Sequence, residues 1–349
     1  MITIKPIIFG VAGTSLLPEE AQLFRDYPPA GFILFSRNIE SKAQLTSLTR
    51  SLKNLYTERD IPIFIDQEGG RVARIKPPIA SKLYPTGKYF ADLYDVDKSQ
   101  AKDAICANYA AIMSELKELG IDSPCAPVCD ILYAGASDVI GDRCLGANAD
   151  KVVDLCKSAI SGIDKSSGIP FIKHIPGHGR ATVDSHHDLP VVTTPLAELE
   201  STDFKVFKEL SGEGVWGMTA HIIYTALDDS APATCSRIMI DYIRSEIGFN
   251  GVLVSDDIGM YALHGEVGQK HSAIKKILKE LENIAETKNI EDIEDLEKIK
   301  VYNKKLEEIN PEFLESLAKV TRMSLSAGCD LILHCSGDIQ EMRAVCEAL

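Results

Sequence analysis

The chain has 349 residues, 45% of them hydrophobic and 25% charged, and a formal net charge of −14. That length supplies one large domain or two ordinary ones, with ample material for a core. So acidic a surface repels phosphate backbones, which excludes nucleic acid as an expected partner.

The first ten residues lack a basic start, and Lys5-Pro6 interrupts their short apolar run, so a β-strand is expected there rather than a secretion signal. No apolar run reaches membrane-spanning length, and a soluble chain without a membrane partner is expected. Short apolar runs recur at 7–11, 31–35, 61–65, 123–128, 170–173, 215–220, 251–254 and 330–333. Each ends in polar or glycine-rich residues and leads into a helix-like stretch. Ala101, Ile105, Tyr109, Ile112, Met113 and Leu116, for instance, share one helical face before Gly120.

Near-continuous apolar strands alternating with helices describe a parallel sheet covered on its outer face. Eight such units predict an α/β chain folded as one (β/α)8 TIM barrel, a single catalytic domain over residues 1–349. A doubly wound open sheet is the rival fold. Gly10-Val11-Ala12-Gly13 is too sparse to be its phosphate loop.

Residues from about 265 to 311 break the rhythm with a charged, Lys- and Glu-rich stretch. Ile274, Ile277, Leu278, Leu281 and Ile284, then Ile290, Ile293, Leu296 and Ile299, recur at helical spacing. They predict a helical insertion between strands seven and eight, as a solvated decoration, a lid or a dimer contact. The nine cysteines form no CxxC pair and no regular framework. Reduced core thiols in a cytoplasmic chain are therefore expected, rather than disulfides or a zinc site.

Polar residues gather where the apolar runs end. Asp66-Gln67-Glu68-Gly69-Gly70-Arg71 follows the third run and Lys173-His174-Ile175-Pro176-Gly177-His178-Gly179 the fifth, with His221 after the sixth and Ser255-Asp256-Asp257 after the seventh. All fall at strand C-termini, the face on which barrel enzymes assemble their sites. Asp256 and Asp257 could cap the next helix, or one of them could attack an electrophilic carbon and form an ester. Side chains of adjacent residues diverge in an extended strand, so one should face the pocket while the other braces the backbone.

His174, His178, His186 and His187 make half of the eight histidines. Pro176 and Gly177 keep His174 and His178 off a common helical face, which argues against a metal site. In Asp184-Ser185-His186 the carboxylate can orient the imidazole and favour its protonated form, giving a general acid; an Asx-turn with an incidental His is the bland alternative. Gly69, Gly70, Gly177 and Gly179 permit close backbone approach. Arg74, Arg143, Lys173 and His174 supply donors and Asp66 an acceptor at the same rim. Such a ring suits a sugar's hydroxyls, although each Arg could equally form a surface ion pair.

With Gly141-Asp142-Arg143, these strings resemble glycoside hydrolase family 3, and most closely its single-domain bacterial β-N-acetylglucosaminidases of cell-wall recycling. The resemblance runs from strand one through strand eight, apart from the insertion. It implies Asp256 as nucleophile, His186 paired with Asp184 as acid/base, and Asp66, Arg74, Arg143, Lys173 and His174 as sugar-binding residues. It also implies a carbohydrate or muropeptide substrate and no metal or organic cofactor. Two features depart from the family pattern, the second imidazole, His187, and the sequential Lys173 and His174; the long insertion is also unusual. A related β-glucosidase, a glycoside phosphorylase and an inactive sugar-binding barrel are the alternative readings. Lys173 and His174 are sequential, so both reach one sugar only if their strand loosens at the rim.

Overall fold

A computed structural model of the chain describes residues 3–184, 188–288 and 293–349, without the side chains of 282–296. The N-terminal part runs β1 (Lys5–Gly10), α1 (Pro18–Asp26), β2 (Pro29–Leu34), α2 (Lys42–Lys53) and β3 (Ile63–Ile65). A small hairpin, β4 (Gln67–Gly69) and β5 (Val72–Ala73), is followed by α3 (Gly87–Val96), α4 (Lys98–Glu118) and α5 (Ala149–Lys165). Next come β6 (Phe171–Ile175), β7 (Val191–Val192), α6 (Leu196–Ser201), α7 (Asp203–Leu210), β8 (Trp216–Thr219) and β9 (Ile223–Tyr224). The chain then forms α8 (Arg237–Ser245), β10 (Leu253–Asp257), α9 (Gly265–Lys288), α10 (Ile293–Ala327), β11 (Leu331–His334) and α11 (Ile339–Glu347).

Seven strands form one curled parallel sheet in the order β3-β2-β1-β11-β10-β8-β6. These are seven of the eight apolar runs read from the sequence. The run at 123–128 differs, making only single parallel bridges, Ser123 to Phe64 on one sheet edge and Val128 to Lys173 on the other. Pro124 and Pro127 offer no N–H to a ladder, and Cys125 sits at a φ of 47°, so this stretch does not run as a regular strand.

One inward cluster draws a residue from every unit: Ile8, Ile33, Phe64, Cys125, Phe171, Met218, Val254 and Leu333. A much larger apolar layer lies between the sheet and the helices. There the face anticipated on α4 is buried from Ala101 to Leu116. Caps set the helix ends. Asp97 accepts from the Gln100 N–H to start α4, and Asn148 from Lys151 to start α5.

The predicted insertion is helical, but its boundary moves. α10 continues through Pro311 to Ala327, so one helix serves both as insertion and as the crossover into β11. In the anticipated stripe Leu278 is buried, while Ile274, Ile277, Leu281 and Ile299 are half-buried. The side chains of Ile284, Ile290, Ile293 and Leu296 lie outside those described. All nine cysteines are free thiols, six of them buried. Among the described residues no helix is long and apolar enough to cross a membrane.

Candidate active site

Strand C-termini converge on a cavity of about 470 Å³. Its polar lining comprises Asp66, Glu68, Arg71, Arg74, Arg143, Lys173, His174, Asp184, Asp256 and Asp257; Phe35, Met218, Met260 and Leu333 contribute apolar walls. A larger groove of about 690 Å³, bounded by Glu19 of α1 and by α10 and α11, contains none of these groups. The chemistry-bearing residues therefore place the candidate site in the smaller cavity.

Lys173 bridges two of its carboxylates. Its Nζ lies 3.0 Å from Asp66 Oδ1 and 2.7 Å from Glu68 Oε1, with the lysine side chain only 3% exposed. Arg74 Nη2 donates to the other Asp66 oxygen at 3.0 Å. Arg143 grips Glu68 through two donors, Nε and Nη2, each at 2.8 Å. Burial alone would raise both carboxyls, but the surrounding cations prevail. Lys173 and Arg74 hold Asp66 well below the usual carboxylate range, and Arg143 with Lys173 brings Glu68 down to about 2. Burial likewise opposes the Lys173 charge, and the two carboxylates overcome it and raise its pKa. The result is a pre-formed lattice of fixed charges that ligand hydroxyls can join without reorganising it.

Asp130 organises the neighbouring corner. Its Oδ2 lies 2.7 Å from His174 Nδ1, and its Oδ1 accepts from the backbone N–H groups of His178 at 2.6 Å and His174 at 3.3 Å. Burial works against its charge, but His174 holds its pKa down to about 2. His178, buried beside His174, is pushed down to about 4 by desolvation and by that second imidazole. Close approach here depends on Gly179, where a β-carbon would stand 1.8 Å from the Ile131 carbonyl oxygen.

The strand does loosen at the rim, the condition on which Lys173 and His174 could share one ligand. The β6–β8 register shifts between Lys173 and Ile175, so the sequential Lys173 and His174 both line the cavity. A second shift falls between Val254 and Asp257 on β10, at the paired carboxylates. Asp256 Oδ1 accepts from the Asp257 N–H at 2.8 Å. Asp257 Oδ1 accepts from the N–H groups of Gly259 at 2.9 Å and Cys335 at 3.1 Å. The expected division therefore appears, with Asp257 as the brace. It is incomplete, because Asp257 also lines the cavity. Burial raises the Asp257 pKa.

Asp66, Arg74, Arg143, Lys173, His174, Asp184 and Asp256 are thus brought together, while His186 lies outside the described residues. His221 braces the strand end instead: its buried ring lies 2.7 Å from Thr234 Oγ1 and 3.0 Å from the Asp257 carbonyl oxygen. Sequence reading passed over the roles of Glu68, Asp130 and Arg71. Glu68 lies within the strand-end string Asp66–Arg71, and Asp130 follows the apolar run at 123–128, so the strand-end rule reaches both. Arg71 Nε reaches Asp142 Oδ1 at 2.8 Å and its Nη2 the carbonyls of Asp138 and Val139 at 2.6 and 2.8 Å, tying down the 138–142 loop. Among the described residues no group of three or more His, Cys, Asp or Glu side chains is placed to hold a metal ion.

The chain is similar to known proteins in sequence and in fold. A beta-hexosaminidase of Alkalilimnicola ehrlichii is 39% identical over 260 residues, 74% of this chain and 73% of its own length. The beta-hexosaminidase of Methylobacillus flagellatus is 34% identical over the same share of each chain. Among solved structures, NagZ from Neisseria gonorrhoeae in complex with N-trifluoroacetyl-D-glucosamine superposes with a TM-score of 0.75 at 30% identity, covering 96% of this chain and 82% of that one. A β-N-acetylglucosaminidase from Paenibacillus sp. gives 0.77 at 26% identity, covering 99% of this chain and 56% of that one. Residues 13–322 match the N-terminal domain of glycosyl hydrolase family 3, and to that family this chain belongs.

Proposed function

We propose that the chain is a retaining exo-β-N-acetylglucosaminidase that forms a covalent glycosyl ester on Asp256. The observation that carries this reading is the meeting of Asp256 with Asp66, Lys173 and His174 around one cavity. The names of the relatives and the N-acetylglucosamine analogue bound to the gonococcal enzyme support the same sugar.

In the first step an Asp256 carboxylate oxygen attacks the anomeric carbon. The glycosidic C–O bond breaks, and His186 gives its proton to the departing oxygen. In the second step water attacks the anomeric carbon, its proton passes to His186, and the ester bond to Asp256 breaks with retained configuration. Asp184, at the cavity wall, orients that imidazole. Asp66, Arg74, Arg143, Lys173 and His174 hold the sugar.

The natural substrate in this reading is a 1,6-anhydro-muropeptide fragment, and the setting is cytoplasmic peptidoglycan recycling. The nine unpaired thiols agree with a reducing compartment. The catalytic unit in this reading is a single eight-unit barrel over 1–349 that needs neither metal nor organic cofactor; the single bridges of 123–128 to both sheet edges support it.

An aryl β-N-acetylglucosaminide assay, run with and without chelator, tests the proposal. Turnover should survive chelator, fall by orders of magnitude in D256N, and release free sugar rather than sugar 1-phosphate in phosphate buffer. Near-normal turnover by D256N would refute the nucleophile assignment, and sugar 1-phosphate would point to a phosphorylase.

A further inference from the structure

Behind Asp257 a buried polar chain runs away from the cavity and ends on the inserted helix. Lys275 of α9 places Nζ 2.7 Å from Glu341 Oε1. The other Glu341 oxygen stands 3.4 Å from Nε2 of His334, whose Nδ1 faces Asp257 Oδ1 at 3.8 Å. His334 is fully buried, and Ser336 Oγ lies 3.0 Å from its Nε2. Among the described residues no hydrogen bond reaches its Nδ1, and 3.8 Å to Asp257 is too long for one. The turn after Asp257 sits directly on this ring: a β-carbon at Gly259 would stand 3.4 Å from His334 Nδ1 and 3.2 Å from Asp257 Oδ1.

Packing alone does not fill this region. A second cavity of about 270 Å³ lies between the sheet and the insertion, lined by Lys275, Phe313 and Glu341 and sharing Asp257 and Met260 with the main cavity. On this side the Cys335 N–H donates to Asp257 Oδ1, and the His334 ring stands against the Gly259 turn. Asp257 in turn presents its backbone N–H to Asp256 Oδ1 at 2.8 Å, so its placement sets the direction of that carboxylate.

We propose that His334 is a positioning residue: standing between Glu341 and Asp257, it fixes the strand end that aims Asp256, and through Lys275 it ties that aim to the inserted helix. This rests on the reading of Asp256 as the nucleophile. A carboxylate misdirected by a fraction of an ångström loses rate in the step that forms the ester, whereas ground-state sugar binding, made by Asp66, Lys173 and His174, persists.

The test compares the unaltered chain with H334F, H334N and K275M. It reads kcat and KM on an aryl β-N-acetylglucosaminide, and the rate at which a 5-fluoro glycosyl fluoride of N-acetylglucosamine esterifies Asp256. H334F should lose roughly 10- to 100-fold in kcat and in esterification rate, with KM changed less than about threefold. H334N, which returns a polar group between Glu341 and Asp257, should recover most of that loss, and K275M should slow esterification several-fold. Unchanged esterification in H334F, a loss confined to KM, or an Asn variant no better than Phe would overturn the inference. Should H334F not fold, H334N and K275M decide: normal esterification in K275M removes the tie to the insertion. Esterification of the unaltered chain at a residue other than Asp256 would instead sink the nucleophile reading, and the inference with it.

Discussion

Lys173 and Glu68 meet at 2.7 Å with side chains only 3% and 5% exposed, and the same ammonium reaches Asp66 at 3.0 Å. Two carboxylates of the third unit are thus bridged by one cation from the fifth, while Arg74 and Arg143 hold them from the other side. Removing that cation leaves the two buried carboxylates to Arg74 and Arg143 alone, with no cation between them. K173M should cost about 3–5 kcal/mol of stability, read from urea unfolding, and weaken inhibition by free N-acetylglucosamine. A variant as stable as the parent would show that the cluster contributes no net stability.

The acid limb of stability should fall in two stages. His178 and His264 are held neutral at about 4 by burial, against 6.5 for a free imidazole. The unfolded chain binds those protons first, so stability decreases as pH drops from about 6.5 towards 4. Glu68, brought down to about 2, and Asp66 contribute stability that is intact above the ordinary carboxylate pKa, about 4, and is lost as pH falls through their folded values. Urea midpoints measured from pH 7.5 to 3 should show both stages. A flat profile down to pH 5 would contradict the imidazole contribution.

Asp130 should matter far more than its distance from the chemistry suggests, because it orients His174 and receives two backbone N–H groups. D130A leaves those buried donors unsatisfied, at about 1–3 kcal/mol each. D130N keeps an acceptor for the backbone but offers His174 an amide, so it should fold while kcat/KM drops about 10-fold or more. Equal stability losses in the two variants would argue that the backbone bonds contribute little.

H186A distinguishes an acid from a structural imidazole. Its rate should collapse with a poor leaving group and suffer much less with an activated phenolate, which departs without protonation. Steady-state kinetics on a series of aryl β-N-acetylglucosaminides gives the slope. Equal losses across the series would indicate that His186 does not deliver the proton.

Much of this protein was legible in one dimension. Seven of the eight anticipated strands lie where apolar runs stop at polar residues, and every described residue nominated for catalysis or sugar binding lines one cavity. The exceptions have local causes. Residues 123–128 are apolar enough for a strand, yet Pro124 and Pro127 deny the ladder its donors. His221 obeys the strand-end rule but turns to the backbone of Asp257, because position along the chain does not say which way a side chain points.

Hydrophobic period and motif order alone determined the α/β class, the crowded strand ends and the family resemblance, since burial of a sheet face and the chemistry of a strand end are properties of short segments. Tertiary structure decided which charges meet. Glu68 finds Lys173 and Arg143, Asp130 finds His174, and His334 finds Asp257 across 44 to 105 residues of chain only when the sheet curls and two strands shift register. Partners so distant in sequence are selected by the geometry of packing, which no local pattern encodes.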